Sequence, residues 1–142
     1  MSIVLTDIER LSDHAENIAE YVDLLKQRHG HLSEKAKEEL RQMSAAVVEA
    51  VEMSLDIFAS EDYSQLDQIE AIEDKIDKFE DDLIAQHVDR LMKGECDPVA
   101  GVVFTDIVTD MERCGDHAIN IAYGLKSGRA LVEQDNIAIQ NA

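Results

Sequence analysis

The chain has 142 residues, with 13 Lys plus Arg against 31 Asp plus Glu and a formal net charge of −18. That length allows one ordinary domain with its own core and removes any need for disulfides or a structural metal merely to fold. The negative balance repels phosphate backbones and anionic headgroups, so nucleic acid is excluded as a direct partner, and no run of about 18 apolar residues exists to insert into a bilayer.

Aromatics at 4%, no Trp and a single Pro, in a chain rich in Ala, Leu, Ile, Glu and Asp, predict an all-α fold. The start MSIVLTDIERL lacks the cationic and apolar regions of a secretory signal, so a cytoplasmic setting is expected. Ile8, Leu11, Ala15, Ile18, Val22 and Leu25 recur at alternating steps of three and four, which predicts a first amphipathic helix with that stripe inward, ended by Gly30. Ser33 suits the N-cap of a second helix whose inner face carries Leu40, Met43, Val47, Val51, Leu55 and Phe58, with SEDYS as the next break. A third helix carries Ile69, Ile72, Ile76, Phe79 and Leu83, continues through Val88 and Leu91, and stops at Gly94. Asp97 caps and Pro98 opens a fourth helix, expected to run to about Gly124 or Gly128 and to leave residues 130–142 as a frayed tail or a partner-dependent segment. Breaks this short turn each helix back on the one before, which gives an antiparallel up-and-down four-helix bundle. Two cysteines make no disulfide framework: Cys114 reads as a small buried hydrophobe and Cys96 as a loop residue.

The phrase TDIERLSDHAENIA, Thr6 to Ala19, returns as TDMERCGDHAINIA, Thr109 to Ala122, with a constant offset of 103 and ten of fourteen residues identical. A lone Glu-x-x-x-Asp means little in so acidic a chain. Duplication of the whole phrase shows that the first and fourth helices present the same chemistry. Glu112 and Asp116 fall about 40° apart on successive turns, beside Thr105 and Thr109, on a stripe at the margin of the core, and Glu9 with Asp13 repeats the geometry. Carboxylates at a core margin repel each other and resist desolvation, so they call for open solvent or a compensating cation. A carboxylate-only set suits Mg, Ca, Mn or iron, with zinc also admissible. His14 and His117 are rotated about 100° from the preceding Asp and are assigned to surroundings or surface rather than to the same ion. Further acids lie on the second helix (Glu49, Glu52, Asp56) and the third (Glu70, Glu73, Asp74, Asp77, Glu80, Asp81). Periodicity does not choose among them.

DMERCGDHAINIA and its twin DIERLSDHAENIA resemble the Glu/Asp-x-x-x-Asp signature of the PhoU family of phosphate-uptake regulators. In that family a three-helix unit occurs twice, each ending in a signature helix. The resemblance therefore implies that residues 1–30 are the last helix of a truncated first unit and 33–129 a complete second unit. It also implies that the chain is a fragment of a longer product. By position it assigns metal binding to Glu9, Asp13, Glu112 and Asp116, with Asp7 and Asp110 as additions, and it implies iron or zinc clusters. The implied function is a non-enzymatic regulatory domain of phosphate uptake, membrane-associated on the cytosolic face as the C-terminal tail of a sodium/phosphate cotransporter. Its implied partner is that transporter's membrane domain or a phosphate-signalling protein, and an uncovered apolar flank favours a homodimer. The alternatives are a free-standing phosphate-uptake regulator and a metal-free structural adaptor docking a basic loop. A di-metal enzyme is disfavoured because inward Glu-x-x-His pairs are missing.

Overall fold

The computed structural model describes the backbone of residues 2–140 and the side chains of 4–126, 134 and 137–140. Four helices follow in order: α1 (Ser2–Gln27), α2 (Glu34–Ser60), α3 (Leu66–Met92) and α4 (Pro98–Gln140), with one turn of 3-10 helix at Tyr63–Gln65. Their ends have identifiable chemistry. Ser33 Oγ accepts the Ala36 N–H at 3.1 Å, and Asp97 Oδ1 accepts the Val99 N–H at 3.3 Å, so both expected N-caps form. Left-handed residues close the other ends, at Glu61 (φ 56°) after α2 and Gly94 (φ 70°) after α3. After α1 that role falls to His29 (φ 53°), one residue before the glycine expected to take it, and the Gly30 N–H closes onto the Leu25 carbonyl at 2.9 Å.

The architecture is all-α, as expected, with α4 at its centre: α1, α2 and α3 all pack against it, and α2 packs against α3. Phe104, Val103, Val108 and Ala118 of α4 meet Met43, Ala46 and Ala50 of α2 and Ile76 and Leu83 of α3 in the main core. Between α1 and α2 lies an apolar groove lined by Ile18, Val22, Leu40 and Ser44, with Ile107 and Met111 also against it. Among the described residues no helix is long and apolar enough to cross a membrane.

Three details depart from the sequence expectation. The inner seam of α1 is Val4, Asp7, Leu11, His14, Ile18, Tyr21 and Leu25, whereas Ile8 and Val22 are 40% and 39% exposed. Two polar residues hold the seam because α4 supplies partners for them. Likewise Leu55 and Val88 lie outward, and Ser54 and His87 are buried in the helical seams instead. Finally, α4 does not stop at Gly124 or Gly128 but continues through the region expected to be a frayed tail, to Gln140. A glycine inside a helix costs about 1 kcal/mol but does not end it without a left-handed conformation, and among the described residues Gly94 is the one glycine with positive φ.

Gly124 has a packing task instead: a Cβ there would collide with Val4 Cγ2, so its absence lets α1 come close to α4. Gly124→Ala is therefore expected to destabilise the chain by about 1–3 kcal/mol through overpacking, read as a fall in the thermal midpoint.

Candidate metal centre

Glu73, Asp77 and Glu80 occupy successive turns of α3 and are turned toward α4, where Glu112 and Asp116 sit one turn apart. Close approach of the two helices is possible because α4 carries Gly115, whose missing Cβ would lie 3.1 Å from Ile76 Cδ1. One ligand atom each from Glu73, Asp77 and Asp116 falls within 4.8 Å of the others. Glu112 hydrogen-bonds Asp116 and lies under the field of Glu80 and Asp77. Burial first, then Asp116, pushes the Glu112 carboxyl up to about 8. Burial, then Asp77 and Asp116, pushes Glu73 up to about 7. Glu80 is raised too, mainly by burial and by Asp81 and Asp77, with Arg113 opposing. Its Oε2 is buried without a hydrogen-bond partner.

An orphaned buried carboxylate oxygen beside four more acids fits a hard cation with oxygen ligands. The donor set contains no thiolate or imidazole, which suits Mg, Ca, Mn or iron better than a soft metal.

The sequence-derived residues separate into three groups. Glu112 and Asp116 are brought together and joined by the α3 acids. Their twins Glu9 and Asp13 are exposed on α1, and among the described residues no cluster of three potential ligands includes them. Asp7 and Asp110 are buried, 6% and 7% exposed, on another face. His117 Nδ1 donates to Asp7 Oδ1 at 2.9 Å, joined by Asn120 Nδ2 at 3.3 Å, while His14 Nδ1 donates to Asp110 Oδ1 at 2.6 Å. The two imidazoles stack with centroids 5.4 Å apart and planes inclined by 16°. Leu11 and Cys114, equivalent in the repeat, meet where the Cys114 S–H points at the Leu11 carbonyl, 3.9 Å away. Each half of the phrase thus completes the other, and α1 runs antiparallel to α4 about an approximate two-fold, the pairing pattern of an isologous interface within one chain. The seven-residue spacing of Asp7 to His14, kept in Asp110 to His117, was the available signal. For the α3 acids no such signal existed, because Glu70, Asp74, Asp77 and Asp81 recur at the same steps of four and three as Glu73, Asp77 and Glu80.

Fold and cluster together define an all-helical bundle that builds a carboxylate nest on one copy of a duplicated acidic phrase. The PhoU domain model matches residues 40–124, more than half of the sequence, so the chain belongs to the PhoU domain family. A relative from Thermotoga maritima, the phosphate-specific transport system accessory protein PhoU homolog 1, is 29% identical over 115 residues, covering 81% of this chain. The chain spans about half the length of that curated relative, 49%. No solved structure matches it significantly.

Proposed function

We propose that this is a non-enzymatic regulatory domain of phosphate uptake whose α3–α4 contact is set by metal occupancy. The observation that carries the reading is the buried, unpartnered Glu80 Oε2 among acids whose carboxyls are forced upward by burial and by each other. Membership of the PhoU family supplies the phosphate-uptake context. Glu73, Asp77, Glu112 and Asp116 would hold the ion, with Glu80 beside them. The ion supplies charge neutralisation in that nest. Without it, the five acids push α3 and α4 apart over the turns they share. With their charge offset, Ile76 is pressed into the space over Gly115. A regulatory domain needs such a difference between two packings for a partner to read.

Within this reading we place the domain on the cytosolic face of the membrane, as the tail of a sodium-dependent phosphate transporter. Support comes from family membership, which supplies the phosphate-uptake context. In cells lacking the natural gene, the intact gene is expected to restore normal phosphate uptake, and the same gene carrying Glu112→Gln with Asp116→Asn is not. Equal uptake from both would remove the metal-dependent reading. A second reading is favoured by the exposed acids of α1, Glu9, Asp13, Glu16 and Glu20: a structural adaptor docking a basic partner. Partner capture that salt abolishes and a chelator leaves intact would select it.

A further inference from the structure

A second site lies at the other end of the α3–α4 contact, roughly 20 Å along the helices from the acid nest. There a cavity of about 40 Å³ is enclosed by His31 and Ser33 before α2, His87 and Arg90 of α3, Cys96 of the α3–α4 loop, and Gly101 of α4. That volume holds two or three water-sized molecules, at roughly 10–15 Å³ each. His87 is 3% exposed. Its Nδ1 lies 3.9 Å from Cys96 Sγ. Its Nε2 is buried with no hydrogen-bond partner and is aimed at the notch of Gly101, 2.9 Å from where a Cβ would stand. Arg90 lines the same cavity as Cys96, is held by two bonds to Glu39 at 3.2 and 3.1 Å, and lies over the Phe104 ring, 5.6 Å from its centroid.

We propose that this cavity is a peroxide-accessible thiol site at which Cys96 is oxidised to the sulfenic acid. The cavity admits a two-oxygen oxidant and excludes bulky ones. Burial, then Arg90, holds His87 below its ordinary range, so the ring is neutral. Its Nδ1 then faces the Cys96 S–H, its Nε2–H points into the cavity where it can donate to a peroxide oxygen, and the Arg90 guanidinium lines the same cavity. In the step, the sulfur lone pair attacks one oxygen of hydrogen peroxide, the S–O bond forms and the O–O bond breaks. The departing oxygen leaves as hydroxide and takes the proton that the thiol released. The balance is one thiol and one peroxide to one sulfenic acid and one water, with sulfur oxidised by two electrons and peroxide reduced by two. The new sulfenyl oxygen is an acceptor for Arg90 and competes with Glu39, whose bond to Arg90 ties α2 to α3.

Cys114 is the internal control. It is 4% exposed, and burial, then Asp110, pushes its thiol up to about 11. The whole chain is treated with hydrogen peroxide and the sulfenic acid trapped with dimedone, followed residue by residue by mass spectrometry, folded and in urea at the same pH. Cys96 is expected to be trapped about 10-fold faster in the folded chain than in the unfolded one, and Cys114 slower. Arg90→Gln should bring the folded rate down about 10-fold. Should that variant fail to fold, the wild-type comparison decides alone. A folded Cys96 that reacts no faster than the unfolded one overturns the proposal.

Discussion

In metal-free buffer at pH 8, Glu112→Gln is expected to unfold about 3 °C above the wild-type chain, and addition of a divalent cation is expected to reverse that order. Five acids share the α3–α4 contact, and three of them are held above the ordinary carboxylate range. Replacing one by its neutral isostere relieves repulsion and desolvation, at a gain of about 1 kcal/mol once solvent screening of a half-exposed cluster is allowed for. At this chain length that is about 3 °C. The wild type, retaining all its ligands, gains about 2.7 kcal/mol when the ion is present at roughly a hundred times its dissociation constant, and the variant gains much less. Thermal midpoints measured with and without chelator check both halves. A wild type that is already the more stable without metal would show that the nest is compensated from within.

The pH dependence has a definite sign. Glu112 is pushed up to about 8 and Glu73 to about 7 in the folded chain, whereas both return to the ordinary value near 4.3 on unfolding. Between those values the folded state binds more protons, so metal-free stability falls as pH rises. The stabilising contribution is complete below about pH 4, declines through pH 7 to 8, and is gone above that. Metal binding must displace the same protons, so apparent affinity climbs across pH 7 to 8. Calorimetric titration at pH 6 and pH 8 reads this directly.

The acids of the α3–α4 cluster differed in how far the sequence pointed to them. Helix boundaries followed from local chemistry, because Ser33, Asp97 and Pro98 act on their own backbone neighbours. Glu112 and Asp116 were legible because a repeated phrase cannot be put down to acidic composition. Which α3 acids join them depends on the rotation of α3 against α4, fixed by Ile76 seating over Gly115, and no period within α3 encodes that. The twin phrase on α1 meets different surroundings. Ser12 stands where α4 has Gly115, among the described residues no second helix packs over it as α3 packs over Gly115, and Glu9 and Asp13 face out. Identical residues therefore ended in different environments. The seam of α1 was misjudged because hydropathy alone ranks Ile8 and Val22 above Asp7 and His14, whereas a polar residue with a partner in place can be the better seam residue.

Asp7→Ala combined with Asp110→Ala is expected to release α1 from α4 while α2, α3 and α4 stay folded. Each aspartate is buried and takes a histidine N–H from the opposite helix, and Asp7 also accepts from Asn120. Removing either leaves donors without an acceptor in a half-buried seam, at about 1.5–3 kcal/mol each. The rest of the α1 contact is modest: of its seam, Val4 is fully buried, while Leu11, Ile18, Tyr21 and Leu25 are half-buried. Groove residues on the α2 side add little cover. A loss of about 3–6 kcal/mol therefore falls almost wholly on one element, whereas the Phe104 core between α2, α3 and α4 is untouched. Hydrogen exchange is the measurement, because it resolves sub-global opening. Amides of Ser2–Gln27 should lose protection by two to four orders of magnitude, and those of α2 and α3 by little. Each single variant should show an intermediate effect, and restoring one acid should recover only the pair it completes, since the two bonds flank the Leu11–Cys114 contact on opposite sides. Uniform loss of protection across all four helices would mean that α1 is part of one cooperative unit and that the duplicated clasp stabilises the whole bundle rather than the docking of its first helix.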